Sequence, residues 1–482
     1  MPAPQFLTFD RRSLFSAGEY GRRRMTSMFE RFSELTAADP DAPALLNCEG
    51  GRTVTRSQLL ARANVLAGRM QQEGIAKGSL VALQLTNSDD FLAAFLAIAR
   101  LDCVAVPIDR DALAAEVGAL LNHFRIRGLI YRMSATDLHP TISVRAAAAV
   151  ALPARTRLIK LSSGSTGRPK GILTTEENLR VDCANICSTI EITGQDINLG
   201  AIPFSHSYGF SNLVTPLLFN GTPIVISNDY LPQSVVDLCN RFRCTVVPLI
   251  PMVYEHLILT SSGQFESVRT FISAGAPLTA AVSRRFRERF GIPIHSLYGC
   301  SECGGITYDR HGGSIERQSA GGALDGVELS VNPSTSRLTV ESRAVAAGYL
   351  HSADEVQLFE RSRFLADDLV EVLESGELSI TGRVGDLINA AGKKVNPREI
   401  EQVLLQMPGI REAKVFGERA GARGDVVAAA IVAQPDVTRE EIRDFCRSRL
   451  STYKVPRIIK LIASIPLDER GKFKRSALDL LQ

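Results

Sequence analysis

Across residues 40–273, short runs of β-branched and aliphatic residues alternate with longer stretches whose apolar positions recur at helical spacing. The runs Leu80-Val81-Ala82-Leu83, Val104-Ala105-Val106-Pro107, Pro223-Ile224-Val225-Ile226 and Thr245-Val246-Val247-Pro248 lack the polar alternation of half-exposed strands. Strands that alternate with helices in this way predict α/β layers built on largely parallel sheets. Over residues 338–381 the texture changes. There Val370-Glu371-Val372-Leu373 and Leu378-Ser379-Ile380-Thr381 flank Glu374-Ser375-Gly376-Glu377, which predicts a hairpin with a tight turn in a β-rich segment.

A boundary follows at Gly382-Arg383-Val384-Gly385-Asp386, where two glycines stand with little to pack. Beyond it, Asn396-Pro397-Arg398-Glu399 predicts a helix start, with Asn as cap, Pro at the first helical position and Glu placed to reach back. A second helix is predicted from Thr438, where Glu441 completes a capping box. Strands predicted at residues 412–416, 426–432 and 458–462 separate the helices, giving an α+β domain of about a hundred residues. The expected fold is therefore α/β. A large N-terminal domain over 1–385 holds layered α/β subdomains and a β-rich subdomain, and a small α+β C-terminal domain covers 386–482.

Composition narrows the function classes. The chain has 482 residues, 45% of them hydrophobic and 22% charged, enough for a large core. The apolar stretch at 92–108 is interrupted by Arg100 and Asp102 and that at 146–154 is too short, so no transmembrane span is expected. The N-terminus, with Asp10, Arg11, Arg12, Glu19 and Arg22-Arg23-Arg24, lacks the apolar region of a secretory signal and is read as a solvated arm or an amphipathic first helix. Nine cysteines, an odd number, fit free thiols in a reducing cytoplasm. Cys183 and Cys187 are expected at buried helix positions. Cys300 and Cys303 have no second ligand pair at zinc spacing nearby. A net charge of +3 gives no ground for a nucleic-acid partner. From Asp386 onward the balance is +5 against −2 for the rest, which suits phosphates or an acidic partner as well as an ordinary solvated surface.

The densest candidate for chemistry is LSSGSTGRPKG at residues 161–171. It is not a Walker loop, because no glycine in it precedes a Lys-Ser/Thr pair, and it does not fit G-x-G-x-x-G. Its parts still favour phosphate. Gly164 and Gly167 free the backbone to aim N–H groups at an anion, Ser162, Ser163, Ser165 and Thr166 add hydroxyl donors, and Lys170 adds a point charge.

This loop resembles that of the adenylate-forming enzymes, which comprise acyl-CoA synthetases, nonribosomal-peptide adenylation domains and luciferases. The resemblance continues in the family's order through Pro203-Phe204-Ser205-His206-Ser207-Tyr208-Gly209-Phe210, Ser273-Ala274-Gly275-Ala276-Pro277-Leu278 and Tyr298-Gly299-Cys300-Ser301-Glu302. It extends to Ala366-Asp367-Asp368, Thr381-Gly382-Arg383-Val384-Gly385-Asp386-Leu387-Ile388, Gly392-Lys393-Lys394-Val395-Asn396-Pro397-Arg398-Glu399-Ile400-Glu401 and Gly471-Lys472-Phe473-Lys474-Arg475.

What the resemblance implies is an ATP-dependent reaction in which a carboxylate attacks the α-phosphorus, pyrophosphate leaves and an acyl-adenylate remains for transfer to a thiol. Residues 162–170 would hold the β- and γ-phosphates. Glu302 matches the family's Mg²⁺-associated glutamate, with Thr166 helping on the same phosphates. Gly275, Ala276, Pro277 and Tyr298 match positions that sandwich adenine, with Gly299, Cys300 and Ser301 in the same nucleotide-binding motif. Asp368 and Arg383 match the pair that holds the ribose. Lys472 matches the lysine that bridges the carboxylate and the nucleotide. Asp386 matches the hinge on which a mobile C-terminal domain turns between half-reactions, with Gly385 beside it. Gly392 would then line a tunnel for the pantetheine thiol.

Two departures accompany the resemblance. Ala366-Asp367-Asp368 stands where the family has Thr-Gly-Asp, and Glu176 replaces a histidine after the loop and is not expected to be catalytic. Amino-acid-activating members carry an aspartate in the segment aligned with 203–210. Its absence here implies an acid without an α-amino group, fatty or aromatic, with His206 gating the acyl pocket or touching the carboxylate, or else serving structurally. Phe210, Leu213, Leu217, Leu218 and Met252 would line an acyl tunnel or belong to the core. Coenzyme A is the preferred acceptor, because the chain has little room for the insertion usual in carrier-loading ligases; an acyl carrier protein is the alternative. Two other classes are weighed. A serine hydrolase would need glycine at Cys303 to complete a nucleophile elbow. A noncatalytic acyl-adenylate-binding homologue is motivated by the altered Ala366-Asp367 pair.

Overall fold

The computed structural model describes residues 27–482 except 135–136, 138, 164–168, 391–392, 420–424, 468–472, 475–477 and 479–482. The arginine-rich N-terminal stretch lies outside the described residues. The chain forms two compact units; the larger holds the described residues up to Ser330 together with Thr339–Phe364, and the smaller holds Val331–Leu338 and the residues from Leu365 onward.

The larger unit is built on two sheets. In the first, Thr270–Ser273, Val246–Leu249, Asn198–Gly200, Ile224–Ile226 and Pro43–Cys48 run side by side. Their pairings are parallel, and Ile294–Cys300 pairs with Thr270–Ser273 in the same sense. At its edges Arg52–Thr55 and Gly304–Tyr308 pair antiparallel. In the second sheet Thr156–Ser163, Val104–Pro107, Leu80–Gln84 and Gly128–Tyr131 pair parallel at the centre. Val104–Pro107 and Val246–Leu249 are buried at every position, which is why these strands read as continuous apolar runs. The parallel centre predicted from the sequence is therefore present, and the antiparallel edges are additions that strand–helix alternation does not reveal.

One such edge matters for the site. Thr156–Ser163 turns back into Pro169–Thr175, which pairs antiparallel with Gly348–Ser352. The helix Glu176–Ile190 then starts at once, capped by Thr175, whose Oγ1 accepts from Asn178 N–H. Cys183 and Cys187 lie buried on it with their sulfurs 3.8 Å apart, as the i, i+4 spacing predicts.

In the smaller unit, Asp425–Ala433 pairs with Ile410–Arg419 and Ile458–Leu461, and helices Pro397–Leu405 and Arg439–Arg447 supply Ile400, Leu404, Ile442 and Cys446 to the core. Thr438 and Glu441 form the expected capping box. Asn396 caps its helix as read, accepting from Arg398 N–H at 3.1 Å. Glu399 does not reach back; Lys454 Nζ draws it away with contacts of 2.6 and 2.7 Å, a charged pair outcompeting a neutral amide donor. No helix among the described residues is long and apolar enough to cross a membrane.

Candidate active site

The phosphate-loop candidate is rooted in the hairpin of Thr156–Ser163 and Pro169–Thr175, where Ser162 stands opposite Lys170 and Ser163 opposite Pro169. Gly164, Ser165, Thr166 and Gly167 lie outside the described residues, as do Gly392 and Lys472. Ser162 Oγ is buried with no hydrogen-bond partner among the described residues, and so is Ser273 Oγ. Buried hydroxyls normally have a partner.

Lys170 is held on two sides. Its Nζ lies 3.7 Å from Glu302 Oε1 and 3.7 Å from the centroid of the Tyr349 ring, and the Tyr349 hydroxyl donates to the same Glu302 Oε1 at 2.8 Å. The side chains of Lys170 and Glu302 are 25% and 15% exposed, so the cluster is partly shielded yet open on one side. Tyr349 reaches it because Gly348–Ser352 lies beside Pro169–Thr175, with Tyr349 opposite Ile172. The sequence offers only a Gly-Tyr step here, 47 residues from Glu302, and nothing in its spacing links the two.

Glu302 sits in the turn between Ile294–Cys300 and Gly304–Tyr308. Cys303 N–H donates to Cys300 O at 3.3 Å, Ala346 N–H donates to Glu302 O at 2.8 Å, and Ser301 Oγ shares a 2.7 Å hydrogen bond with Ser207 Oγ. The glycine at 299 is a requirement of close approach, since a Cβ there would lie 2.3 Å from Gly304 O. Cys300 is half-buried; Cys303 is buried, and burial pushes its thiol well above the ordinary range, removing it as a nucleophile. Gly275, Ala276 and Pro277 follow the strand Thr270–Ser273, and Tyr298 lies near the end of the neighbouring parallel strand, with Ser273 opposite Ser296. Both groups therefore occupy the carboxyl ends of adjacent parallel strands, where α/β sheets bind ligands.

His206 precedes a short helix, Ser207–Gly209, that passes through a wider π turn at Phe210–Val214 into Thr215–Asn220. Such π turns often mark functional segments. A Cβ on Gly209 would meet Pro203 O at 2.1 Å, which accounts for glycine in this motif. His206 Nε2 lies 3.7 Å from Asp109 Oδ2. The sequence segment 203–210 has no carboxylate of its own, so this one, just past the strand Val104–Pro107, is a contribution of the tertiary structure. Phe210, Leu213, Leu217 and Leu218 are fully buried, with Phe210 edge-on to Phe95 at 5.0 Å, so they serve the core. Glu176 is also structural. It accepts from Met28 N–H at 2.5 Å and pairs with Arg155 at 3.2 Å.

In the smaller unit Asp368 faces Arg383 across an antiparallel pair, with Arg383 Nε 3.6 Å from Asp368 Oδ1. Neighbouring strand residues point to opposite faces, and the extra carboxylate, Asp367, pairs instead with Arg337 at 2.9 Å. Asp386 ends a single exposed helical turn, Val384–Asp386.

Mg²⁺ keeps several waters and is held by one or two carboxylates plus substrate phosphates rather than by a protein cage. The oxygen donor of Glu302, 3.7 Å from Lys170 at the root of the candidate loop, suits that mode. Among the described residues no group of three His, Cys, Asp or Glu is arranged to hold a metal without the nucleotide.

Residues 32–350 match the AMP-binding enzyme family, and residues 399–472 match the AMP-binding enzyme C-terminal domain. The chain belongs to this family. This AMP-binding enzyme is 25% identical over 443 residues to the 2-succinylbenzoate–CoA ligase of Listeria monocytogenes serotype 4b, covering 89% of this chain and 94% of the relative. It is 26% identical over 468 residues to the long-chain-fatty-acid–CoA ligase FadD13 of Mycobacterium tuberculosis, covering 88% and 92%. The o-succinylbenzoate CoA synthetase MenE of Bacillus subtilis, solved with its acyl-adenylate intermediate, superposes with a TM-score of 0.78 at 25% identity over 93% of this chain and 97% of that one. The family read from the ordered motifs is the one found, and the layered α/β fold with a small C-terminal domain agrees with these relatives.

Replacing Tyr349 by Phe keeps the ring over Lys170 and removes the donor to Glu302. A hydrogen bond to a charged group contributes roughly 1.5–3 kcal/mol. Tyr349→Phe is therefore expected to lower the efficiency of pyrophosphate release about 10- to 100-fold with the melting temperature little changed. An unchanged rate would remove Tyr349 from the site.

Proposed function

We propose that this AMP-binding enzyme is an acid–thiol ligase that activates a carboxylic acid with ATP to acyl-AMP and passes the acyl group to the thiol of coenzyme A. The observation that carries the reading is the convergence of Lys170, Glu302 and Tyr349 at the root of the phosphate hairpin, in a chain whose full-length relatives are CoA ligases. In the first half-reaction a carboxylate oxygen attacks the α-phosphorus and pyrophosphate leaves; in the second the thiol sulfur attacks the acyl carbon and AMP leaves.

The phosphate loop, residues 162–170, aligns the leaving pyrophosphate, and Lys170 neutralises part of its charge. Glu302, with help from Thr166, would hold Mg²⁺, which would add charge neutralisation at the phosphate oxygens. Gly275, Ala276, Pro277 and Tyr298 receive adenine, Gly299, Cys300 and Ser301 line the same nucleotide site, and the Asp368 and Arg383 pair receives the ribose. Lys472 bridges the acid and the nucleotide. The small domain, residues 386–482, turns about Asp386 to bring Gly392 to the thiol. Asp386→Pro fixes φ and removes an N–H in this short turn. It is expected to slow the thiol step, assayed from supplied acyl-adenylate, more than adenylation; wild-type rates in both would end the hinge assignment.

The acid is fatty or aromatic and lacks an α-amino group, supported by the absence of a carboxylate within 203–210. Asp109 beside His206 makes the test sharp. Pyrophosphate release is to be measured with ATP and Mg²⁺ across fatty, aromatic and α-amino acids, each with coenzyme A, with a holo acyl carrier protein or with neither. Stimulation by coenzyme A with acyl-CoA as product supports the ligase. Turnover with the carrier alone would make the chain a carrier-loading enzyme, and turnover of an amino acid would end the amino-free assignment and make Asp109, 3.7 Å from His206, the carboxylate to replace next. Silence throughout would leave a noncatalytic acyl-adenylate-binding homologue. Nine free cysteines support a cytoplasmic location.

A further inference from the structure

The carboxylate of Asp182 is 3% exposed, on the helix Glu176–Ile190 that leaves the phosphate hairpin. Among the described residues its hydrogen-bond partners are Gly305 and Ser211, on two elements that also hold residues of the proposed nucleotide site. Its Oδ1 accepts from the backbone N–H of Gly305 at 2.9 Å, immediately after the Glu302 turn. Its Oδ2 accepts from Ser211 Oγ at 2.6 Å, inside the π turn that follows His206, Ser207 and Tyr208. The approach to the Glu302 turn is so close that Gly304, at φ +73°, has no room for a side chain; a Cβ there would lie 2.0 Å from Asp182 Oδ1.

Burial pushes the Asp182 carboxyl up, and the charge of Lys160 opposes that shift. Lys160 is itself only 6% exposed and lies on the strand Thr156–Ser163 that enters the phosphate hairpin. Asp182, on the helix after the loop, is thus hydrogen-bonded to the segment that follows the Glu302 turn and to the π turn that follows His206, and it feels the charge of Lys160 on the strand before the loop. An apolar residue of similar volume would fill this space without a desolvation penalty. What an apolar residue cannot do is accept hydrogen bonds from two separate segments and so fix their register.

We propose that Asp182 is a positioning residue for adenylation, which holds the Glu302 turn in register with the phosphate hairpin and the His206 helix so that Glu302 meets the Mg²⁺ carried by ATP. This rests on the assignment of Glu302 as the Mg²⁺-associated carboxylate. Groups that orient a metal ligand from behind typically change metal affinity or activity about 10- to 100-fold when replaced.

The test uses the full chain, with Asp182→Asn and Ser211→Ala singly and together. Asparagine keeps the volume and one acceptor, for Gly305 N–H, but puts an amide donor where Asp182 accepts from Ser211 Oγ and removes the carboxylate charge. Calorimetric titration with ATP, in Mg²⁺ and in EDTA, gives the tightening of nucleotide binding by Mg²⁺ without any acid substrate, and thermal melting is followed in parallel. The wild type is expected to bind ATP more tightly with Mg²⁺. Asp182→Asn is expected to lose about tenfold or more of that tightening. Ser211→Ala is expected to lose less, and the double variant no more than Asp182→Asn alone, because both act through one contact. A merely structural role would lower the melting temperature and weaken ATP binding equally with and without Mg²⁺, and that result would overturn the proposal. If Asp182→Asn does not fold, an unchanged Mg²⁺ effect in Ser211→Ala overturns it instead. Absence of any Mg²⁺ effect in the wild type would count against the Glu302 assignment itself, separately from Asp182.

Discussion

Glu302→Gln is expected to cut the rate of acyl-adenylate formation roughly 10²- to 10³-fold, the loss typical when one preorganised electrostatic contact to developing charge is removed. The substitution is nearly isosteric. Gln can still accept the Tyr349 hydroxyl, now 2.8 Å from Oε1, so the turn and its packing are retained. What disappears is the negative charge that faces Lys170 Nζ at 3.7 Å and that, on the proposed function, would be a hard ligand for Mg²⁺. The loss should fall on the first half-reaction. Thioester formation from supplied acyl-adenylate needs no pyrophosphate stabilisation and should stay within a few-fold of wild type. Rapid-quench measurement of both steps, with the melting temperature as control, decides the matter. Equal losses in both steps would remove Glu302 from the metal role and make its ion pair with Lys170 structural.

Lys472→Ala is expected to abolish detectable acyl-adenylate formation while leaving much of the thiol step with supplied acyl-adenylate. Lys472 lies outside the described residues, and its assignment rests on the frame Gly471-Lys472-Phe473-Lys474-Arg475 within a C-terminal domain matched over 399–472. A cation placed between the attacking carboxylate and the α-phosphate acts where charge is redistributed in the transition state, so its removal raises the barrier of that step alone. Pyrophosphate exchange measures the first step and acyl-CoA formation from synthetic adenylate the second. Equal loss in both would contradict the role, and wild-type exchange would end it. Together with Tyr349→Phe, the two variants separate charge on the metal side from charge on the acid side of the same α-phosphorus.

The elements at which sequence and structure agree are governed by local rules. Val104-Ala105-Val106-Pro107 has the same bounds in both, because a strand covered on both faces is apolar at each position. The hairpin expected around Glu374-Ser375-Gly376-Glu377 joins Arg363–Val372 to Leu378–Arg383, and Thr438 caps its helix as a Thr-x-x-Glu start predicts. Glu399 departs from its expected cap because Lys454, 55 residues away, offers a full charge at 2.6 Å. Local pattern cannot register a partner that distant.

The same division holds at the site. By itself the sequence determined the family, the α/β layers and the small α+β domain, because ordered motifs, periodicity, capping and glycine placement are properties of neighbouring residues. Only the tertiary structure decided that Tyr349 meets Glu302 and Lys170, that Asp109 supplies the carboxylate beside His206, and that Asp182 ties the Glu302 turn to Ser211 across separations of 123 and 29 residues. Those contacts follow from sheet order, above all from Gly348–Ser352 lying beside Pro169–Thr175. Sheet order is set by burying all the apolar faces at once, a global free-energy balance that no short window of the chain contains.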